Sequence, residues 1–278
     1  MIDGETRLLG VIGDPVAHSL SPAIQNAALE HFHLNARYLA FTVKQEHLRK
    51  MMDAVRVLDM PGLNVTLPHK EKVLTCMDEV SERAKGLGAV NTVVQREGRL
   101  VGDNTDYAGF DEALRRVHGS KMKRAVLYGS GGAARAVLAV LRDRGFGEVA
   151  VACRKARRGK AMIDDLGCGR IARVVPWDRR ETVEADLLVN ATTLGLKGKD
   201  PLPVSARVVR HAKGAIDLVV RPRGTRWVAL ARSYGVMAEE GSAMLVAQGR
   251  ESFRLWFGKK PPIPVMERAL RRAGGEGT

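Results

Sequence analysis

Two side chains that could exchange a proton with a hydroxyl group lie in the first part of the chain. Lys70 follows the apolar segment GLNVTL and a proline turn, and Asp106 ends the polar segment GDNTD. A lysine paired with a carboxylate can pass a proton to and from an alcohol, so we predict that Lys70 and Asp106 form a catalytic dyad. The competing bases are His18 and His69, because histidine is the commonest catalytic base.

Polar residues also follow the first apolar strand, LLGVIG. Ser19 and Ser21 stand there, just ahead of Pro22. Ligands of open parallel sheets bind outside the carboxyl ends of the strands, which makes both serines candidates for a binding site. For Ser21 a second role stays open, because serine at the start of a helix is also typical of an N-cap.

A glycine-rich turn stands in the middle of the chain, in the segment VLYGSGGAARAV. Gly129, Gly131 and Gly132 lie between a β-branched run and an alanine-rich run, as in a strand that turns into a helix. Glycines allow this tight reversal and let a pyrophosphate approach the backbone, where the helix N-terminus offers free amides. The segment predicts a dinucleotide-binding turn, the alternative being a structural turn that binds nothing.

The tip of the next strand, in VACRK, decides which dinucleotide is expected. An acidic residue at this position would accept a hydrogen bond from a ribose 2′-hydroxyl, whereas arginine accommodates a 2′-phosphate. The residue here is Arg154, with Lys155, Arg157 and Arg158 close behind it. We therefore predict NADP as the cofactor. The alternative to a phosphate site is a helix face whose charged side chains only contact solvent, and this interpretation fits Arg157 and Lys160 best.

The charge of the chain is concentrated in its second part. Residues 1–106 hold 12 Lys or Arg and 14 Asp or Glu, and the remaining residues hold 33 and 17, within a net charge of +14. Clustered cations could bind a nucleic acid. Aromatic residues make up only 5% of the chain and form no stacking series, so we expect no nucleic-acid partner.

Cysteine content and hydropathy exclude other classes of protein. Three cysteines without CxxC spacing predict neither a disulfide framework nor a zinc site, and we expect no metal. No apolar run approaches the length of a membrane span, so we expect no membrane association. The acidic start, MIDGETRLLGVIGDP, lacks the basic region of an export signal, and a cytoplasmic location is expected.

Strand-like and helix-like segments alternate along the chain. The first series runs from LLGVIG to GLNVTL as a βαβα pattern, which predicts a parallel-type sheet covered by helices. A second series of four or five short strands begins at RAVLY, and the helix YAGFDEALRRV connects the two. The run SAMLVAQGRESFRLWFG predicts a further amphipathic helix.

Seven segments in this order resemble the shikimate dehydrogenase family over nearly the whole chain. They are GDPVAHSLSPAIQN, LNVTLPHKEKV, GAVNTVV, GDNTDYAGF, GSGGAARAV, VNATTLGL and GSAMLVAQGRESFRLWFG. The resemblance implies an α/β fold with two open parallel-type sheets and a cleft between two domains. The substrate-binding and catalytic domain would comprise residues 1–106 and 242–278, and a Rossmann-like NADP domain residues 107–241.

The resemblance also implies roles for single residues. Lys70 and Asp106 would be the catalytic pair, Ser19 and Ser21 would bind the substrate carboxylate, and Asp106 would also meet a substrate hydroxyl. The other expected hydroxyl ligands are Thr66, Asn91 and Gln248. The expected cofactor contacts are Gly129, Gly131, Gly132, Ala133, Arg154, Lys155, Arg158, Thr192 and Gly241. The implied reaction is the NADP-dependent interconversion of 3-dehydroshikimate and shikimate, in a monomer or a homodimer.

Three positions depart from the family pattern. Val220 stands where DxxYxP has tyrosine, Gln25 where histidine is common in SPxxHN, and Cys153-Arg154-Lys155 where Asn-Arg-Thr is usual. Loss of the tyrosine removes a phenol from the carboxylate end of the site. A related dehydrogenase for quinate, aminoshikimate or another ring carboxylate is therefore the alternative enzyme, and a basic nucleotide- or nucleic-acid-binding protein is the alternative outside enzymes.

Overall fold

The chain folds into two compact units. The computed structural model describes residues 2–117, 119, 122–221 and 223–275. The first unit comprises Met1–Thr105 and Val246–Thr278, and the second comprises Asp106–Leu245.

The first unit alternates strands and helices. Its elements up to the unit boundary are β1 (Arg7–Gly13), α1 (Ser21–His31), β2 (Ala36–Thr42), α2 (Leu48–Val57), β3 (Gly62–Val65), β4 (Glu79–Val80), α3 (Glu82–Leu87), β5 (Thr92–Arg96) and β6 (Arg99–Asp103). Short 3-10 turns lie at Gln45–His47 and Lys72–Cys76.

The sheet of the first unit is mixed. Its strand order is β2-β1-β3-β5-β6-β4, with β1 parallel to β2 and β3. β5 runs antiparallel to both β3 and β6. One apolar cluster packs α2 against this sheet through residues such as Met52, Val55, Leu63 and Val93. The carboxyl ends of β1 and β3 lie side by side, because Ile12 pairs with Val65.

The second unit begins with the connecting helix. Its elements are α4 (Asp106–Val117), β7 (Arg124–Tyr128), α5 (Gly132–Asp143), β8 (Glu148–Cys153), α6 (Ala156–Asp165), β9 (Ala172–Pro176), β10 (Leu187–Asn190), α7 (Ala206–Val209), β11 (Gly214–Asp217), α8 (Arg226–Ser233) and β12 (Met237–Glu240). A 3-10 turn lies at Trp177–Thr182.

The sheet of the second unit is fully parallel, in the order β12-β11-β10-β7-β8-β9. The chain moves outward from β7 through β8 to β9, and then returns to the other side of β7 at β10. Such a reversal of strand order creates the crevice in which a dinucleotide binds. The predicted α/β fold is confirmed. The sixth strand, β12, was not predicted from the sequence.

Two helices end the chain. α9 (Gly241–Phe257) contains the boundary between the units, and α10 (Ile263–Ala273) packs on α1 within the first unit. Gln25 of α1 donates a hydrogen bond from Nε2 to the carbonyl oxygen of Gly249, 2.9 Å away. The glutamine that replaces the usual histidine therefore ties α1 to α9. Within the described residues, no helix combines the length and the apolar composition that crossing a membrane requires.

Candidate active site

A buried polar network lies at the centre of the first unit. Asn64, near the end of β3, accepts a hydrogen bond from the Tyr38 hydroxyl at 2.7 Å. Its Nδ2 donates to Thr92 Oγ1 at 3.1 Å and to Ser252 Oγ at 2.9 Å. All four side chains are buried. The network therefore joins three strands of the sheet to α9 through side chains that are distant in the sequence.

Asn91 and Gln248, two predicted substrate ligands, belong to the same network. Asn91 Oδ1 accepts from the backbone N–H of Thr105 at 2.7 Å, and the Thr105 hydroxyl donates to Gln248 Oε1 at 3.4 Å. Ser252 Oγ donates to the Gln248 carbonyl oxygen at 3.1 Å, one helical turn earlier. The structure thus brings Asn91 and Gln248 to the same place and restricts their orientation.

Ser19 and Ser21 lie after β1 and at the start of α1. Ser19 Oγ accepts from the backbone N–H of Ser21 at 3.2 Å. The N-cap of α1 is Leu20, so the N-cap role considered for Ser21 does not apply. Burial raises the pKa of Tyr38 well above its usual value of 10, against a hydrogen bond from Ser21 that lowers it. Ser21 therefore contacts the same polar network.

Thr66 and Lys70 follow β3 and are half-buried. Thr66 N–H donates to the carbonyl oxygen of Ile12 at 2.9 Å, which keeps this turn beside the end of β1. The carbonyl oxygen of Lys70 accepts from Val90 N–H at 2.8 Å, one residue before Asn91. The backbone thus holds Lys70 next to the segment that carries Asn91.

His69 has the geometry of a structural histidine. Its side chain is fully buried, and Nε2 lies 2.6 Å from the carbonyl oxygen of Val43. A histidine bonded to the main chain and closed to solvent is poorly placed to carry protons to a substrate. The other competing base, His18, lies exposed in the loop after β1.

Asp106 is buried and is the first residue of α4. This residue begins the second unit, whereas Lys70 belongs to the first. Their pairing stays a prediction.

The glycine turn of the second unit follows β7. Gly129 has φ of 110°, and a Cβ at this position would lie 2.9 Å from the carbonyl oxygen of Ala191. Any larger residue would be strained and would clash with the loop after β10. Gly131 is the N-cap of α5 and has open space where a Cβ would stand. Ala133, in the first turn of α5, is half-buried. The turn combines a free helix N-terminus with an accessible backbone, as a phosphate requires.

The end of β8 carries exposed cations. Arg154 follows the last residue of β8 and Lys155 is the N-cap of α6; both side chains are exposed. Among the described residues neither forms an ion pair, in contrast to Lys160, which pairs with Asp164. Arg158 is exposed on α6. An unpaired cation at this tip keeps its hydrogen-bonding capacity for a ligand phosphate.

The thiol of Cys153, the last residue of β8, is accommodated by a glycine on the neighbouring helix. A Cβ at Gly159 would lie 2.6 Å from Cys153 Sγ, so the sulfur packs against the glycine of α6. The thiol also donates to the Lys155 carbonyl oxygen at 3.5 Å. Cys153 supports the turn and leaves the exposed position to Arg154.

Thr192 lies in the loop after β10, and Gly241 is the first residue of α9, next to the loop after β11. Thr192 Oγ1 donates to Asn190 Oδ1 at 2.7 Å, and a Cβ at Gly241 would lie 2.6 Å from the carbonyl oxygen of Leu218. Asp217, between these loops, was not singled out from the sequence. Burial raises its pKa to about 6, against hydrogen bonds from Thr225, Val219 and Asn190 that lower it.

The residues of the second unit fit NADP. The glycine turn provides an anion site after β7, and Arg154 and Lys155 provide cations after β8, where the second strand of such a fold meets the adenosine ribose. Within the described residues, no group of three or more His, Cys, Asp or Glu side chains could hold a metal ion.

Comparisons with known proteins agree with this geometry. A family model described as the shikimate dehydrogenase substrate binding domain matches residues 11–93, and one described as the shikimate 5′-dehydrogenase C-terminal domain matches residues 241–271. A relative from Rubrobacter xylanophilus, shikimate dehydrogenase (NADP(+)), is 41% identical over 283 residues, 99% of this chain and 98% of its own. The chain belongs to the shikimate dehydrogenase family.

Solved structures similar to this chain include shikimate dehydrogenases and a reductase with a different printed activity. Shikimate 5-dehydrogenase from Thermus thermophilus, in complex with NADP(H) and shikimate, is 41% identical, with a TM-score of 0.83 over 96% of this chain and 99% of its own. The 5-ketofructose reductase of a Gluconobacter strain is 29% identical, with a TM-score of 0.83 over 98% of this chain and 100% of its own. The predicted shikimate dehydrogenase family is confirmed. The roles assigned to single residues stay predictions.

Proposed function

We propose that this chain is an NADP-dependent oxidoreductase that interconverts 3-dehydroshikimate and shikimate. Its full-length similarity to NADP-dependent shikimate dehydrogenases supports the proposal most directly. The exposed, unpaired Arg154 at the end of β8 supports the choice of NADP, and the buried polar network of the first unit supports a substrate with several hydroxyl groups.

In the proposed reaction, Lys70 and Asp106 manage the proton. When the alcohol is oxidised, its carbon loses a hydride and its hydroxyl loses a proton, which leaves a carbonyl group. Bound NADP supplies the hydride acceptor, at C4 of its nicotinamide. The neutral amine of Lys70 takes the proton on Nζ, and Asp106 accepts a hydrogen bond from the same hydroxyl and orients it. In the reverse direction the ammonium of Lys70 returns the proton.

The remaining polar residues would bind the substrate. Ser19 and Ser21 offer hydroxyl donors to its carboxylate, and Thr66, Asn91 and Gln248 meet its hydroxyl groups. The hydrogen bonds of Thr105 and Ser252 hold Asn91 and Gln248 before the substrate arrives. Such preorganisation reduces the loss of conformational entropy that accompanies substrate binding.

A second candidate is a dehydrogenase for a related ring carboxylate, such as quinate or aminoshikimate. The observation that favours it is Val220, where the family pattern has tyrosine. A valine offers no hydrogen bond to a carboxylate. The fold also serves other substrates, as the 5-ketofructose reductase relative illustrates.

One set of assays separates these candidates. Nicotinamide absorbance is followed with shikimate, quinate and aminoshikimate, each with NADP and with NAD. Preferential turnover of shikimate with NADP supports the proposal, and preferential turnover of another acid supports the second candidate. No turnover with any pair contradicts both and favours the non-enzymatic alternative.

The proposal includes a cytoplasmic protein that binds small molecules and no nucleic acid, as a monomer or a homodimer. The scarcity of aromatic residues supports the absence of a nucleic-acid partner. Light scattering coupled to gel filtration measures the oligomeric state, and a gel shift with duplex and single-stranded DNA at physiological salt tests for nucleic-acid binding.

A further inference from the structure

The loops after β10 and β11 are joined by one buried carboxylate. These strands are parallel neighbours, with Asn190 paired to Asp217 at their carboxyl ends. Asp217 Oδ1 accepts from Asn190 Nδ2 at 2.8 Å and from the backbone N–H of Val219 at 3.1 Å. Its Oδ2 accepts from Thr225 Oγ1 at 2.7 Å. The Asp217 side chain is fully buried, so these donors replace water as its partners.

Asn190 extends the connection to the loop that carries Thr192. Asn190 Oδ1 accepts from Thr192 N–H at 3.1 Å and from Thr192 Oγ1 at 2.7 Å. Its Nδ2 also donates to the carbonyl oxygen of Leu194 at 3.0 Å. Asn190 can make all of these bonds at once only in one amide orientation, and Asp217 selects that orientation by accepting from Nδ2.

The loop after β11 is confined on its other side by the start of α9. A Cβ at Gly241 would lie 2.6 Å from the carbonyl oxygen of Leu218 and 2.9 Å from that of Val219. This close approach leaves no room for the loop to shift toward the helix. The position of Gly241 relative to the loop thus depends on the conformation that the Asp217 carboxylate imposes on residues 218 and 219.

These loops lie on the side of the sheet where the second half of a dinucleotide is expected. The adenosine half is assigned to the glycine turn and to Arg154, after β7 and β8. A dinucleotide spans the crevice at the reversal of strand order, so its nicotinamide half lies toward β10 and β11. Thr192 and Gly241 are the predicted cofactor contacts on that side.

We propose that Asp217 is a positioning residue for the nicotinamide half of the cofactor, acting through the loop that carries Thr192 and through the loop after β11 that packs against Gly241. The inference rests on the proposed NADP-dependent function. It assigns no contact between Asp217 and the cofactor. Removal of the carboxylate frees Asn190, Val219 and Thr225 together, and both loops lose the conformation in which they receive the nicotinamide.

The test compares two ligands that differ in the nicotinamide half. NADPH binding is measured by fluorescence, and adenosine 2′,5′-bisphosphate, which has the 2′-phosphate but no nicotinamide, by calorimetry. Asp217→Ala is expected to weaken NADPH binding about tenfold, as the loss of about one net hydrogen bond would, and to leave bisphosphate binding within about twofold. Asp217→Asn should restore NADPH binding, because its Nδ2 can donate to the Thr225 hydroxyl while Oδ1 keeps the other two bonds.

Asp186 provides a matched control at the other end of β10. It is buried and accepts from the backbone N–H groups of Lys123 and Arg124, each at 3.0 Å. Asp186→Ala should lower the unfolding midpoint and change neither affinity. If Asp217→Ala does not fold, Thr225→Val removes one of the three bonds and should weaken NADPH binding about threefold, with the bisphosphate unchanged.

The outcomes separate the inference from the proposed function. An equal loss of both ligands in the Asp217 or Thr225 variants, or unchanged NADPH binding, would overturn the positioning role alone. If the unmodified protein fails to bind NADPH, the proposed function is contradicted and the inference falls with it.

Discussion

At the scale of single residues, we expect Arg154 to determine the choice of cofactor. Arg154→Asp removes a partner of the 2′-phosphate and adds repulsion between like charges. We expect the KM for NADP to rise by about 10- to 100-fold, and the KM for NAD to change by less than about threefold. Steady-state assays with both cofactors measure the ratio.

Arg157 is the matched control for this charge reversal. It is exposed on α6, three residues from Arg154, and forms no ion pair among the residues that the structure describes. As a solvated residue it should tolerate Arg157→Asp with little change in the KM for NADP. Equal effects of the two reversals would mean that the general field of the basic surface, and not Arg154, selects the cofactor.

We expect Lys70 to determine the rate of proton transfer. Lys70→Met keeps most of the length of the side chain but cannot carry a proton. Turnover should fall by about 10²- to 10⁴-fold, the usual share of general acid–base catalysis, with NADPH affinity nearly unchanged. Full turnover in this variant would exclude the dyad, and the burial of His69 would then leave exposed His18 as the base to test.

Asp106 tests whether the two residues act together. Asp106→Asn should cause a loss similar to or smaller than that of Lys70→Met. The double variant should fall well short of the product of the two single losses, because groups that act as one unit are not additive. Fully multiplicative losses would show that Asp106 and Lys70 work independently.

At the scale of elements, the sheet of the first unit depends on Gly62. Its φ is 153°, and a Cβ would lie 2.0 Å from the carbonyl oxygen of Val93 and 2.5 Å from Trp256 Nε1. Gly62→Ala must therefore push β3 away from β5. We expect a loss of more than about 3 kcal/mol in the free energy of unfolding, measured in urea, since both overpacking and backbone strain contribute.

A control substitution at Gly98 separates the two effects expected for Gly62→Ala, which are backbone strain and overpacking. Its φ is 78°, and nothing lies within 4 Å of its hypothetical Cβ. Gly98→Ala carries only the conformational penalty and should cost about 1 kcal/mol. If both variants lose the same amount, the close approach of β3 and β5 at Gly62 has no energetic effect.

Local patterns were sufficient to predict most elements but not the polar network. Apolar runs such as LLGVIG and RAVLY indicate strands whatever their partners are, and the glycine turn follows from local backbone requirements. β12 escaped prediction because its sequence, MAEE, is polar and lies at a sheet edge. The antiparallel direction of β5 depends on its pairing with β6, which its apolar run does not encode.

The candidate site likewise contains some residues that sequence motifs predict and others that only the fold brings together. Lys70, Asn91 and Arg154 stand in motifs whose residue types indicate chemistry. Asn64 and Ser252 are 188 positions apart, and their hydrogen bond exists only because β3 and α9 meet in the fold. The sequence indicates these two residues only weakly. Asn64 is a polar residue inside the apolar run GLNV, and Ser252 follows Gln248 by four residues on the same helix face.

At the scale of the whole molecule, the basic surplus is compatible with an enzyme of anionic ligands. The net charge is +14, and the cofactor and the proposed substrate are both anions. A positive field raises the rate at which such ligands arrive, without specifying which one binds. We therefore expect the selectivity to come from particular cations that form no ion pair among the described residues, such as Arg154 and Lys155.

The stability of the whole chain should carry the signature of the buried carboxylate of Asp217. Burial raises the pKa of Asp217 from 3.8 to about 6. Well below pH 4 the group is protonated in both the folded and the unfolded state and has no effect. Between about pH 4 and 6 the unfolded chain releases this proton while the folded chain retains it, so stability falls as the pH rises. Above pH 6 the full penalty applies, about 3 kcal/mol for a shift of this size.

Asp217→Asn removes this titration, so the free energy of unfolding of the variant relative to the unmodified protein should rise by about 2 kcal/mol between pH 4 and pH 7. Urea unfolding followed by tryptophan fluorescence measures the difference at each pH, and the titration of all other groups cancels.

Asp186→Asn provides the contrast. Burial alone would raise the pKa of Asp186, but hydrogen bonds from Lys213 and the N–H groups of Lys123 and Arg124 lower it to about 2. Stability from this group is complete above about pH 4 and is lost only as the pH falls toward 2, so the Asp186→Asn difference should stay constant from pH 4 to pH 7. A flat profile for Asp217→Asn over the same range would mean that the carboxylate ionises in the fold as easily as in water.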